Sequence, residues 1–517
     1  MVNIMNTSYP SHPYSSNILL PDWLARCAEN QPERLAVQDG SERWSFAELD
    51  RRAIRLARQL AALGVQEGDR VALLAANSLP FVAFVHALTR LGAVLVPLNL
   101  RLTFEELRWQ VSDARVSLLV CDAEYVGVAA QIGQAITDLP VATLADEAQR
   151  GETVLPQLPE KQVELRTLID LDAVQAIMYT SGTTGLPKGA IITYGMSWWN
   201  AIGSALNLGH APDDSWLACL PLYHIGGLSI LMRSVIYGIS VSLHKKFDAA
   251  GVNRDIMQGA TSMISVVAVM LQRMLADLDA NWGGAGYPAR LRCVLLGGGP
   301  APYALLEACM QRGIPVVQTY GLTESGSQAV TLSPSDALRK IGSAGRPLAP
   351  VQLRILHESR QAAPGEPGEI CLKGPTITPG YTDRPEATAQ AMRDGWFATG
   401  DIGYLDDEGY LYVHDRRADL IISGGENVYP AEIESVLQAH PAVKEAGVCG
   451  RPDPQWGQVP IAFVVLQPGS SASAEELLAY TAQKLARYKH PHDLYFVEQL
   501  PYTSSGKLLR RELRRNA

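Results

Sequence analysis

Cysteine is sparse and scattered in this chain: seven in 517 residues, at Cys27, Cys121, Cys219, Cys293, Cys309, Cys371 and Cys449, with no CxxC pair. That removes support for zinc or dithiol chemistry, and an odd, sparse set suits a reducing compartment. Positive charge is not in excess either. The formal net charge is −9, so overall charge gives no argument for the basic face that neutralises nucleic-acid phosphates. The basic end LLRRELRR (508–515) reads as a solvated helix face. Long apolar runs are missing as well. The most apolar stretch, Val71 to Leu100, is interrupted by Asn77, Pro80, His86 and Arg90 and fails the test of ~20 apolar residues for a membrane span. The opening MVNIMNTSYPSHPYSSN has no basic start and no apolar centre, so it reads as a flexible tail rather than a signal peptide. Internal repeats and low-complexity tracts are absent. Together these point to a cytoplasmic protein that acts on small molecules, with no nucleic acid and no membrane span; homo-oligomerisation is left open.

What is there is ordinary globular material, 47% hydrophobic and 19% charged, enough for several cores. Phe46–Leu63 has apolar residues at helical spacing and stops at Gly64; Arg70–Leu74 reads as a buried strand, Phe81–Leu91 as helix, Val94–Pro97 as strand. This alternation predicts an α/β sheet with covering helices. A polar, poorly patterned stretch spans 146–168, and a short strand, Ala176–Tyr179, follows. From about 343 to 413 the strands become short and punctuated by Gly and Pro (Gly368–Lys373, Gly409–Val413), which suggests a small β subdomain. A last unit starts after Asp415–Asp419, with strands at 443–449 and 460–466 and a helix at 474–486. The expected division is a flexible tail at 1–17, a large N-terminal domain at 18–415, a hinge at 416–419 and a small α+β C-terminal domain at 420–517.

The sharpest motif is YTSGTTGLPKG, Tyr179–Gly189. Its glycines allow close backbone approach to an anion, its hydroxyls donate to phosphate oxygens, and Lys188 adds a point charge. It is not a Walker A loop, which needs Gly directly before the lysine where Pro187 stands. Further strings follow in order: LGGGPA (296–301), YGLTE (320–324), TGD (399–401), DRRADLIISGGENVYP (415–430) and SSGK (504–507).

These strings resemble the signature motifs of the adenylate-forming superfamily of acyl- and aryl-CoA ligases, adenylation domains and luciferases, over essentially the whole chain beyond the tail. The resemblance implies an enzyme that binds ATP with Mg²⁺, activates a carboxylic acid as its acyl-adenylate and passes the acyl group to coenzyme A. Attaching AMP removes the carboxylate charge that would repel the thiolate and supplies a leaving group; positioning and charge neutralisation then carry most of the catalysis. By the same resemblance, Thr180, Ser181, Gly182, Thr183, Thr184, Gly185 and Lys188 cradle the phosphates. Glu324, a hard oxygen ligand, holds Mg²⁺ with Thr323 on the phosphate. Tyr320 lies against adenine beside Gly298, Gly299 and Pro300. Asp401 accepts from the ribose, Arg416 holds ribose or phosphate, and Lys507 bridges acid and phosphate during adenylation. The C-terminal domain of such ligases then rotates, and the segment with Gly424 and Gly425 replaces the lysine and lines the pantetheine tunnel. The pivot falls at Ala418, where the family often has Asp or Lys, so the hinge lies among Arg417, Ala418 and Asp419.

His224, between a strand and a helix, takes a common pocket position. Several stretches closely resemble 2-succinylbenzoate–CoA ligases of menaquinone synthesis: SALNLG (204–209), the His224 segment through SVIYG, LLGGGPAP (295–302), TLSP (331–334) and IGSAGRPL (341–348). That acid carries an aromatic ring and a second carboxylate. His224, Arg233, Ser327 and Gln328 are the polar candidates to meet it, and Ser265–Met270, with Val266, the apolar wall. A ligase for fatty or other aryl acids, and a stand-alone adenylation domain that loads a carrier protein, remain as alternatives.

Overall fold

The computed structural model describes residues 17–144, 153–180, 186–299, 301–358, 360–415, 420–501, 508 and 510–513, with the backbone alone at 414, 415, 431 and 511. Two largely parallel sheets dominate, one of seven strands and one of nine. Alternate residues of a central strand explain how they stack. Val71 and Leu73 face a core shared by both sheets, while Ala72 and Leu74 face the opposite side. The shared core is filled by helices such as Phe46–Ala62, Leu79–Leu91 and Ile225–Tyr237. Further helices cover each outer face: Phe104–Asp113 and Val126–Ala135 on one, Ala249–Met257, Ala268–Asn281 and Tyr303–Gln311 on the other. The result is a five-layer α/β/α/β/α arrangement.

The helix Leu79–Leu91 shows why the stretch Val71 to Leu100 is so apolar. Every residue but Pro80 is buried, because a sheet lies on either side. Its ends are set locally: Ser78 accepts from the Phe81 amide, and Gly92 closes it with φ +70°. Among the described residues, no helix is long and apolar enough to cross a membrane.

A smaller antiparallel sheet (strands Gln352–His357, Gly368–Lys373, Trp396–Leu405 and Leu411–Asp415) forms the expected β subdomain. The last of its strands begins two residues later than the sequence pattern suggests. Beyond it lies a five-stranded sheet centred on the long hairpin Val443–Asp453 and Gly457–Leu466. Both strands outrun their predicted lengths, because ten register pairs carry them past the apolar segments. The predicted helix at 474–486 ends at Ala482 and is followed by a 3₁₀ turn at Arg487–Lys489. The basic end departs from a solvated face. In the helix Arg510–Leu513, Arg510 pairs with Glu434 at 2.7 Å and Leu513 is buried.

Candidate active site

The parallel strands of the nine-stranded sheet point their carboxyl ends at one cavity of about 690 Å³, the location where open α/β sheets place their ligands. Leu220, Pro221, Tyr223 to Gly227, Val267, Gly297, Gly298 and Gly321 to Thr323 line it just beyond strand ends, and Val266 lines it from the end of its strand. The seven-stranded sheet adds Asn99 and Thr180.

One side gathers the motif residues. The strand Val174–Thr180 pairs antiparallel with Lys188–Thr193, with Thr180 opposite Lys188, so the Gly/Thr string connects a hairpin. Ser181, Gly182, Thr183, Thr184 and Gly185 lie outside the described residues, as do Pro300, Arg416, the hinge at 416–419 and Lys507. Glu324 is 8% exposed. Its Oε1 accepts from the Tyr381 hydroxyl at 2.8 Å and the Thr180 hydroxyl at 3.4 Å. Its Oε2 makes no hydrogen bond or ion pair among the described residues. Lys188 Nζ stands 5.5 Å from the centre of the Tyr381 ring. Two strings 144 residues apart thus meet at one carboxylate. Tyr381 was not foreseen, since it lies in a turn without a motif of its own. Thr323 lines the cavity directly.

Asp401 is fixed by two contacts. The Tyr320 hydroxyl donates to its Oδ2 at 2.8 Å, and its amide donates to the Thr399 hydroxyl at 3.0 Å. The threonine of TGD therefore holds the bulged part of the strand Trp396–Leu405, where Gly400 has φ +74°, that presents the aspartate.

The opposite side is assembled from the buried face of the helix Ile225–Tyr237. Arg233 is 1% exposed, yet it lines the cavity. Its guanidinium donates to Asn200 Oδ1 at 2.6 Å and reaches the Ser327 hydroxyl at 3.5 Å. It stands over the Trp216 ring at 5.3 Å. Among the described residues no carboxylate pairs with it, and its Nε has no hydrogen-bond partner. Burial pushes its pKa below the ordinary value. Such an uncompensated buried cation is costly unless something else supplies the negative charge. Ser327, on the facing turn, has φ +106° and also receives a bond from the Ser229 hydroxyl at 3.3 Å. Non-glycine residues held there are strained by ~1–3 kcal/mol and cluster at functional sites. Gln328 lines the cavity, but its amide is engaged by Ser204 and Thr331. Asn200, buried and bonded to the Gln328 carbonyl at 2.7 Å, was missed: an asparagine within a mostly apolar helix gives no signal. Val266, at the end of its strand, and Val267 supply the apolar wall.

Between these sides the C-terminal unit closes the cavity. Gly424 and Gly425 line it, with φ +59° and +87°. A Cβ on Gly425 would sit 3.3 Å from Val267, and one on Gly424 2.8 Å from Trp456. Glycine answers both the backbone geometry and the narrow passage. Gly298 packs against Val267, and Gly299 meets Ile422 of the C-terminal unit. Glu426, buried next to the glycine pair, bonds His224 Nε2 at 3.0 Å, Asn99 at 3.3 Å and Arg101 at 3.4 Å. Burial pushes this carboxyl up, but His224 and Arg101 outweigh it and hold it below the ordinary glutamate value. His224, at the start of its helix but with no capping bond from its side chain, therefore faces the C-terminal unit as well as the cavity.

Residues 24–382 match the family described as AMP-binding enzyme, and residues 432–507 match the AMP-binding enzyme C-terminal domain. This chain belongs to the AMP-binding enzyme family. Within that family it is 53% identical to a 2-succinylbenzoate–CoA ligase of Geobacillus kaustophilus over 496 residues, covering 96% of this chain and 98% of that one. Among solved structures it is similar to o-succinylbenzoate CoA synthetase (MenE) of Bacillus subtilis. A double mutant bound with its product analogue OSB-NCoA superposes with a TM-score of 0.90 at 42% identity, over 96% of this chain and 99% of that one. The same enzyme with its acyl-adenylate intermediate OSB-AMP gives 0.74 at 43% identity, over 96% and 98%. Sequence distance is the same in both cases, so the two scores differ through the arrangement of the chain. This member of the AMP-binding enzyme family is arranged as in the product-analogue complex.

Proposed function

We propose that this enzyme is an ATP-dependent acid–CoA ligase that converts 2-succinylbenzoate, ATP and coenzyme A to 2-succinylbenzoyl-CoA, AMP and pyrophosphate through the acyl-adenylate. Arg233 carries the choice of acid. A buried guanidinium with no carboxylate partner among the described residues, in a cavity walled by Val266 and Val267, suits an acid that brings an aromatic ring and a second carboxylate. The succinyl carboxylate is left to react. A fatty acid would leave that cation unpaired. The named relatives, which span nearly the whole chain, support the same substrate.

The chain's own residues prepare the first step. Thr180, Lys188 and the string 181–185 receive the phosphates, Asp401 takes the ribose, and Tyr320 orients Asp401. Glu324 fits Mg²⁺, because one of its oxygens makes no bond among the described residues. No cluster of three metal-binding side chains occurs among the described residues, so the ion would complete its shell with water and phosphate oxygens, as Mg²⁺ does. When bound, it neutralises phosphate charge. Lys507 and Arg416 join from the C-terminal side. In the second step Gly424 and Gly425 leave room for the pantetheine thiol to reach the adenylate carbonyl. The orientation described here, with both glycines at the cavity, supports that reading of alternating domains.

The test compares 2-succinylbenzoate with 3-benzoylpropanoate, which lacks only the ring carboxylate, in CoA-dependent AMP release. A buried polar group left without its partner loses ~1–3 kcal/mol, so kcat/KM should fall tenfold or more. Equal values for both acids would end the assignment. Turnover with free CoA and no added protein distinguishes the ligase from a carrier-loading domain. Gly425→Leu should form adenylate but fail to discharge it onto CoA.

A further inference from the structure

Lys489 is buried at the junction of the two units, 3% exposed. Its Nζ donates to Glu432 Oε1 at 2.7 Å and to Glu106 Oε1 at 2.6 Å. These two partners are not equivalent. Glu432 stands in the first turn of the helix Pro430–Gln438, in the same C-terminal unit as Lys489. Glu106 belongs to the N-terminal domain, on the helix Phe104–Asp113. The lysine therefore has one partner that moves with it and one that stays behind.

Glu106 is held ready. Its other oxygen, Oε2, accepts from the amide and the hydroxyl of Thr103 at 2.8 Å each, a capping box at the helix start. The surrounding turn forms the rest of the landing site. The Thr103 hydroxyl also reaches the Lys484 carbonyl at 3.3 Å, and Arg101 lies over the Tyr488 ring at 5.9 Å. Burial would lower the lysine's pKa, but Glu432 and Glu106 outweigh it and the ammonium stays charged. Two carboxylates around one ammonium leave the cluster short of positive charge. Burial raises the pKa of Glu432 in spite of Lys489, and Glu432 Oε2 has no hydrogen-bond partner among the described residues. A permanent pair with Glu432 would be satisfied without Glu106. Glu106 is thus a second partner, supplied across the junction.

We propose that Lys489 and Glu106 form a latch that holds the C-terminal unit in the thioester-forming orientation. Lys489 is then a positioning residue for the second half-reaction, and Glu106 its catch. The inference rests on the reading of alternating domains given above.

Glu106→Gln is the variant to make. Glutamine keeps the shape and an acceptor oxygen for the cap, while Lys489 keeps Glu432. The seven native cysteines are all buried, so dyes placed by Leu206→Cys and Glu475→Cys, both exposed, can report the distance between units by energy transfer. Wild type should change its distance distribution between ATP with Mg²⁺ and 2-succinylbenzoyl-CoA. Glu106→Gln should shift the product-bound distribution toward the ATP-bound one. It should slow conversion of supplied acyl-adenylate to thioester roughly ten- to hundredfold, the range of a charge-assisted hydrogen bond, and leave adenylate formation from ATP at the wild-type rate or above. If wild type alternates and Glu106→Gln alters neither the distances nor the thioester step, the latch is overturned while alternation stands. Equal slowing of both half-reactions would make the contact merely structural. A single distance distribution in wild type under both conditions would overturn alternation itself, and the latch with it.

Discussion

The nucleotide side and the acid side of the cavity are built on different principles. On the nucleotide side the functional groups sit on or next to strands: Thr180 ends one, Glu324 lies in the short turn after another, and Asp401 lies within the strand Trp396–Leu405, each inside a short motif and each with a polar neighbour in place. On the acid side the deciding groups come from the buried faces of two helices. Arg233 and Asn200 bond each other; Arg233 lies within the resembling stretch from His224 through SVIYG, whereas Asn200 lies in none of the resembling strings. The first side fixes a ligand that every relative of this chemistry shares, so its shape can be encoded locally. The second, on the function proposed above, distinguishes one acid from others with a charge whose cost is relieved when the right substrate arrives.

That contrast can be broken by experiment, the largest effect first. Glu324→Gln preserves shape and removes the ligand charge. Adenylate formation should drop by about 10³-fold with every acid tested, in line with the several kcal/mol a bound cation contributes. A variant with normal rate and normal Mg²⁺ dependence would show that the nucleotide side does not work through Glu324. Arg233→Leu should be selective instead. The kcat/KM for 2-succinylbenzoate should fall by about 100-fold, while 3-benzoylpropanoate is turned over as before. Thermal stability should hold or rise, because a buried ion is replaced by an apolar group of similar bulk. Equal losses for both acids would make Arg233 a general scaffold residue.

Smaller effects sharpen the same division. Tyr320→Phe removes the hydroxyl that orients Asp401. One such bond is worth about 1 kcal/mol, so KM for ATP should rise about fivefold with the KM for acid unchanged; a shift in both would mean the two sides are coupled through Tyr320. Ser327→Gly should have the smallest effect. Relief of the positive φ, partly offset by the greater freedom of glycine in the unfolded chain, should stabilise the protein by up to about 1 kcal/mol. KM for 2-succinylbenzoate should rise slightly as the hydroxyl beside Arg233 is lost. An unchanged or lower melting temperature would show that the turn is not strained.

The sequence alone determined the elements and the nucleotide chemistry of this protein. Arg70–Leu74, Val94–Pro97 and Gly368–Lys373 form strands where their patterns indicate, because alternation and apolar runs are local properties of the chain. YGLTE and TGD were legible for the same reason: a turn or strand bulge that must present a carboxylate needs its own threonine and glycine within a few residues. Tertiary structure alone decided which partners those residues meet. Tyr381 on Glu324, Asn200 on Arg233, Arg510 on Glu434 and Glu106 on Lys489 join positions from 33 to 383 residues apart. No period or motif spans such distances. Burial makes the pairing matter, since a charge removed from water must find its partner wherever the packed layers bring one. The same is true of the cavity itself, which exists only where two sheets and a second unit converge.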